Sequence, residues 1–271
     1  MDIFEAIQRR RTTNTAFLDK PVSEEHIQQL IKMASCAPSH FNSQPWRFIA
    51  ITESSTIAKI GKIAGEGMAE LMEDGRFWKQ YCKYFRFSEK EIEKTRDGIL
   101  IDHMPAILKP FIRTVMSEKG GAVLAKLKVP KILGRDEEKL VAESPLLFAI
   151  TLTKEEYRKN ELSGVYSLIS LGAVIQNLWL TTTALGMGMQ FVSTPGEIKE
   201  KWDEIACFLN IPDDYELLAL FRMGYTDNDI ERPTIDWKSS QRKTIEELSF
   251  RNYWGNKLSR KPDYSGKDFT I

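Results

Sequence analysis

"APSHFNSQPWRF", residues 37–48, is a turn between a helix and a strand, and its two flanks decide the fold. Upstream, Ile27, Leu30, Ile31 and Ala34 fall at the i, i+3, i+4, i+7 spacing of one buried helical face. Ser23 opens that helix, with Glu24 and Glu25 in the first turn where negative charge suits the dipole. Pro38 stops it, because a residue before proline avoids the helical region. Downstream, residues 45–52 read as a strand. Between the two, Ser39, His40, Asn42 and Gln44 crowd donors and acceptors into a segment whose ordering costs entropy. Something must use those groups.

Working outward, Asp2 and Glu5 form a capping box for a helix over about 2–10, which ends in Arg9-Arg10-Arg11. "SPLLFAITL", 144–152, is a continuous apolar run, the pattern of a strand covered on both faces. A helix over 166–185 is apolar nearly all round and therefore must be buried on most sides, in a core or a subunit interface. "MGMQFVS", 187–193, and "YELLALFRMGY", 215–225, read as further strands. Thr194-Pro195-Gly196-Glu197 reads as a capping box with proline at the first helical position. The helix it would open carries Ile198, Trp202, Ile205 and Leu209 on one face. Residues 54–142 read as mostly helical, with aromatic patches at Phe77-Trp78, Tyr81 and Tyr84-Phe85. No repeat or low-complexity linker divides the chain. Helices and strands interleave around one sheet, which predicts a single α/β-type domain over 1–271 with a helical insertion at about 54–142.

Lys+Arg and Asp+Glu both number 38, and this balance gives no reason to expect nucleic acid or an anionic membrane as partner. Cys36, Cys82 and Cys207 are odd in number and far apart, and three scattered histidines show no ligand spacing. No metal site is expected. The first residues lack the basic and apolar regions of a signal peptide, and no stretch reads as a spanning helix. A cytoplasmic protein with reduced thiols is the expectation.

The phosphate-loop, Gly-x-Ser-x-Gly and His-Glu-x-x-His motifs are absent, and no Gly-x-Gly-x-x-Gly follows a strand. An enzyme built this way would borrow its chemistry from a cofactor. Three polar clusters remain: Arg10-Arg11-Thr12, then Ser39, Asn42 and Gln44, then Arg242-Lys243. Arginine forks and a threonine hydroxyl suit phosphate. Uncharged donors and acceptors suit a heteroaromatic ring whose edge alternates C=O and N–H. Each cluster also has an ordinary role, as solvated charges after a helix or as turn residues. Composition and spacing alone leave the ligand open.

"FEAIQRRRTTN" and "VSEEHIQQLIKMASCAPSHFNSQPWRFIAI" resemble the FMN-dependent nitroreductase family, as do "GAVIQNLWLTTTALGMGMQF" and "LNIPDDYELLALFRMGY". The similarity covers roughly 2–53 and 143–250. It implies an α+β fold, a nitroreductase-like mixed sheet flanked by helices, in an intertwined homodimer with two sites built from both chains. Carried over by position, the phosphate-binding set falls on Arg10, Arg11 and Thr12. A basic residue that commonly reaches the flavin falls on Asn14, where the charge is missing. The Pro-Ser-x-x-Asn segment falls on Pro38, Ser39, His40 and Asn42, contacting flavin held mainly by the partner subunit, with Gln44 in the same motif. The glycine step after the long helix falls on Gly186, Met187 and Gly188, and the C-terminal basic residue on Arg242 beside Lys243.

The resemblance implies an NAD(P)H-dependent FMN oxidoreductase. Hydride would pass from NADH or NADPH through flavin N5 to an electron-poor small molecule such as a nitroaromatic or quinone. No side chain is required as acid or base, and His40 is the nearest candidate. A flavin-binding sensor or carrier without turnover is the alternative, because residues 54–142 could cover the flavin face.

Overall fold

The computed structural model describes residues 1–103, 106–107, 109–126, 128–227 and 236–256. The parts of the expected polar tail at 228–235 and 257–271 lie outside the described residues. Helix α1 (Ile3–Arg9) and α2 (Glu24–Ser35) lead to strand β1 (Trp46–Ile51). Next come α3 (Ser54–Glu73), α4 (Arg76–Tyr81), β2 (Phe85–Arg86), α5 (Glu89–Thr95) and β3 (Ile99–His103). Then follow α6 (Ile112–Val115), α7 (Glu118–Ala125), α8 (Val129–Ala142) and β4 (Leu146–Thr153). The chain continues through α9 (Leu162–Ala184), β5 (Met187–Phe191), α10 (Lys199–Phe208) and β6 (Tyr215–Tyr225). Short β7 (Asp236–Lys238) and α11 (Ile245–Leu248) complete the described elements.

Two sheets form among the described residues, where the sequence predicts one. The larger has the order β1-β4-β6-β5 and is antiparallel at every pairing. Parallel and antiparallel pairs mix in the smaller one, β2-β3-β7. Its strands are two to five residues long, too short for alternation to reveal. The α+β class holds.

Strand β4 explains its own unbroken apolar sequence. Leu146, Phe148, Ile150 and Leu152 enter one core with α2 and α9, while Leu147 and Ala149 enter a second with α3 and α10. A central strand buried on both faces has no use for polar alternation. Helices α3 and α8 cross with backbones nearly touching: a Cβ on Gly65 would lie 2.5 Å from the Gly134 carbonyl oxygen, and the converse is 2.6 Å. Only glycine fits both positions, and the crossing fixes the helical segment against the sheet.

Helix α9 starts four residues before the predicted position, at Leu162. By length and composition it could cross a membrane, which corrects the expectation that no stretch would pass that test. Three of its hydroxyls are satisfied within the helix: Ser170, Thr181 and Thr182 donate to carbonyls of the preceding turn. In this fold it packs on α1, α2 and β5 as a core helix. Its opposite side is apolar and open, with Leu162, Val165 and Ile169 each more than half exposed.

The predicted capping box at Thr194–Glu197 does not form. Those residues make a short 3₁₀ turn capped without any side chain, and α10 begins later, after Ile198. Tertiary partners have taken the capping groups. The Thr194 hydroxyl donates to Glu137 Oε1 at 3.3 Å, and the Glu197 carboxylate accepts from the Tyr81 hydroxyl.

Candidate functional site

The N-terminal arm after α1 is fastened to the large sheet from below. Arg222, on β6 and 1% exposed, donates through Nη2 to the carbonyls of Thr13 (2.9 Å) and Thr15 (2.8 Å). Its Nε donates to Gln190 Oε1 at 2.6 Å, and its guanidinium lies over the Phe17 ring. Burial lowers its pKa to about 10, so it stays a cation at neutral pH. The Thr13 amide donates to the Met189 carbonyl at 3.1 Å. A Cβ at Gly188 would sit 2.2 Å from Thr13 Oγ1, so that glycine admits the arm. Met187 is buried in the core beside it.

Held this way, the arm presents Arg10, Arg11 and Thr12 at one corner. Burial and the positive charges of Arg242 and Arg11 push the Arg10 guanidinium below its usual pKa. Arg11 and Thr12 lie beside Lys238, Ser239 and Ser240, the residues just before Arg242, so segments from opposite ends of the chain converge here. Arg10 also lies over the Trp179 ring of α9, 5.1 Å from its centre. A cavity of about 300 Å³ opens among Arg11, Thr12, Lys238, Ser239 and Ser240. Three guanidinium groups with neighbouring hydroxyls and an ammonium suit a phosphate dianion. Lys243 faces elsewhere, 3.9 Å from Asp97. Sequence reasoning missed Lys238, Ser239 and Ser240, although "KSSQRK" places them four residues or fewer before Arg242. Arg222 was missed as well, since nothing local marks an arginine inside an apolar strand as a fastener.

The turn at 38–44 is built differently. Phe41, Asn42 and Gln44 all have positive φ, at 49°, 57° and 46°. For Phe41 and Gln44 that costs about 1–2 kcal/mol each. Local bonds hold the shape: Ser39 Oγ accepts from the Gln44 amide at 3.0 Å, and Gln44 Nε2 donates to Asn42 Oδ1 at 3.1 Å. Pro38, His40, Asn42 and Gln44 remain exposed, and Phe41 is 93% exposed. The His40 ring stacks on Tyr166 of α9 with centres 4.3 Å apart. Tyr166 and Trp179 are thirteen residues apart on one helix, which is about 20 Å. Within one chain, then, the arginine corner and the strained turn attach near opposite ends of α9. They do not meet.

A second, larger cavity of about 700 Å³ lies between the helical segment and the β5 edge. Met72, Trp78, Phe85, Ile101 and Met116 form its apolar walls. Asn14 and Gln190 line it on the side of the arm, and Asp136, Glu137 and Glu197 give it an acidic rim. Burial raises the Glu137 carboxyl above its usual range, against the pull of Arg222 and the Thr194 hydroxyl. Burial and the Glu197 carboxylate push the Tyr81 phenol up to about 12.

The nitroreductase family model matches residues 7–225, from within α1 to the end of β6. The chain belongs to the nitroreductase family. A nitrobenzene nitroreductase of Ectopseudomonas oleovorans is 46% identical over 44 residues, 16% of this chain and 19% of that protein. The stretches matched in the first curated relatives span only 19% to 32% of those relatives' own lengths. Among solved structures, a BluB-like flavoprotein from Clostridium difficile 630 superposes with TM-score 0.54 and 19% identity, over 93% of this chain and 99% of that one. An FMN-dependent nitroreductase from Clostridium difficile R20291 gives 0.50 and 14%, over 85% and 90%. At these identities the likeness is one of fold.

Proposed function

We propose that this nitroreductase-family chain is an NAD(P)H-dependent FMN oxidoreductase working as a homodimer in the cytoplasm. The observation that carries the reading is the convergence of Arg10, Arg11 and Arg242, with the strained turn about 20 Å away along α9. The arginine corner, with Thr12, Ser239 and Ser240, fits the phosphate of FMN in charge and in donors. Ser39, Asn42 and Gln44 fit the edge of its ring in chemistry but are out of reach in the same chain. An isologous dimer resolves this, because the partner's turn can face the first chain's arginine corner. The open face of α9 (Leu162, Val165, Ile169), with Ile3, Phe4 and Ile7 of the adjoining α1, offers the apolar surface such a dimer needs.

When bound, FMN would accept hydride at N5 from a reduced nicotinamide and pass it to an electron-poor acceptor. The chain's part is to neutralise the phosphate, orient the ring and keep a dry space beside it. Asn14, uncharged, would meet the ring side of the arm. Lys243, turned toward Asp97, would reinforce the local positive field without touching the phosphate. The large cavity also bears on the sensor or carrier alternative, because the helical segment leaves room beside the arm where a cover would fill it. Purified protein should be yellow, and anaerobic NADH or NADPH should bleach its visible band. Colourless protein that takes up no added FMN would overturn the proposal.

A further inference from the structure

We propose that the outer face of α6, α7 and α8 docks on a bilayer surface rich in anionic lipid headgroups. The balance of charge over the whole chain conceals a local excess. From 106 to 135, seven basic residues stand against a single acidic one, Glu118, a net charge of +6. Because the chain sums to zero, everything outside that stretch carries −6. Such a separation of charge orients a molecule at an anionic surface, with its basic part toward the headgroups.

The three helices put these charges outside. Ile112, Val115, Leu124 and Leu133 pack inward on the cluster around Trp78, and α7 touches both α6 and α8. Their outer faces therefore share one side of the molecule. On α7 and its C-cap that face is Lys119, Ala122, Val123 and Lys126, all exposed and at the i, i+3, i+4, i+7 spacing. On α8 and its N-cap it is Lys128, Lys131, Ile132, Arg135 and Lys139, again all exposed. Just before α6, exposed Phe111 lies between exposed Lys109 and Arg113. Each piece thus sets one apolar side chain among cations, and Phe111, Val123 and Ile132 are each more than half exposed. Ile107, 80% exposed, adds a fourth beside Lys109. Arg113 pairs with Glu91, whereas the other six cations of 106–135 make no ion pair among the described residues.

Cations alone would suit any polyanion; the apolar side chains favour the bilayer. Phenylalanine, valine and isoleucine can enter the boundary between headgroups and acyl chains, while lysine stems lie along them and leave the ammonium groups at the phosphates. A nucleic-acid backbone gives such aliphatic groups nothing to enter. A second copy brought face to face would set like charge against like. The dimer surface proposed above lies on α1 and α9, so docking and dimerisation use different elements.

The test is co-sedimentation of the full-length protein with vesicles of phosphatidylcholine, alone or with about 30% phosphatidylserine. The anionic vesicles should bind about tenfold or more tightly, and salt at about 0.5 M should remove the difference. Lys126→Glu, Lys128→Glu and Lys131→Glu combined should lower that binding about tenfold or more. The same number of reversals at exposed lysines on other elements, Lys62→Glu, Lys154→Glu and Lys199→Glu, should leave most of it. Phe111→Ser with Val123→Ser should weaken it several-fold without altering the charge. Lys109→Glu with Lys119→Glu repeats the first reversal on the other helical pieces, so one unfolded variant does not decide the result, and a retained melting temperature identifies the folded ones. Equal binding to neutral and anionic vesicles, or equal losses from reversals on and off this face, would overturn the proposal. So would a DNA duplex that binds as tightly as the anionic vesicles while Phe111→Ser with Val123→Ser changes nothing, because the face would then be one for nucleic acid.

Discussion

The molecule has two interiors of opposite character. Around β4 the packing is solid: Leu146, Phe148, Ile150 and Leu152 on one face and Leu147 and Ala149 on the other are all fully buried. Around Trp78 the walls are equally apolar, yet about 700 Å³ is left between them. Protein cores normally close to near-crystalline density, so a hollow of that size needs support. Here the Gly65–Gly134 crossing and the bonds from Thr194 and Tyr81 to the two glutamates brace it. The solid interior fixes positions, among them the arm that carries the arginine corner. The hollow one provides space beside that arm.

The largest expected contrast is in truncation. Phe148→Ala in the solid core should cost about 3–5 kcal/mol, whereas Ile99→Ala on a wall that already faces empty space should cost under about 2 kcal/mol. Urea unfolding of both variants measures this, and equal losses would mean that the hollow is not there in solution. Next comes the fastener between the interiors. Arg222→Met leaves the Thr13 and Thr15 carbonyls without their donor and Glu137 without its cation, and should cost about 3 kcal/mol or more. A variant as stable as the parent would show that the arm is held by something else.

Acid dependence probes the brace. Burial raises the Glu137 carboxyl, so the folded chain keeps a proton that the unfolded chain releases near 4.5. Stability from this group is therefore highest below pH 4.5 and declines as pH rises through the raised value. Glu137→Gln removes that decline, so the variant should gain on the parent from acid to neutral pH in urea melts. Parallel pH profiles would contradict the assignment. The smallest effect is at Tyr81→Phe, which removes one hydrogen bond to Glu197 and should cost about 1–2 kcal/mol. It should also lose the decline in stability that Tyr81, raised from 10 to about 12, gives the parent as pH rises across that interval.

Legibility in the sequence follows the same division. The strands of the large sheet and helix α2 could be read because their patterns arise from local periodicity and one continuous core. The segment Thr194–Glu197 misled for the opposite reason, since a capping box is a local preference of about 1 kcal/mol that two tertiary partners outbid. Strands β2, β3 and β7 were invisible because they are two to five residues long, and the pairing of β3 with β7 crosses more than a hundred residues. At the proposed site, Arg10, Arg11, Thr12 and Arg242 were named through resemblance alone. Lys238, Ser239 and Ser240 join them only once β7 is placed beside β3. Arg222 could not be found at all without its partners.

The most direct test of the central claim, that each site takes its arginines from one chain and its turn from another, is complementation. One variant carries Arg10→Ala with Arg242→Ala, and the other carries Asn42→Trp to block the turn side. Each alone should fail to retain FMN. Unfolded and refolded together in equal amounts, they form mixed dimers in which one site has both intact halves, so FMN should return to about a quarter of all sites. Mixtures that stay colourless, while the parent protein treated in the same way recovers its FMN, would contradict the shared site.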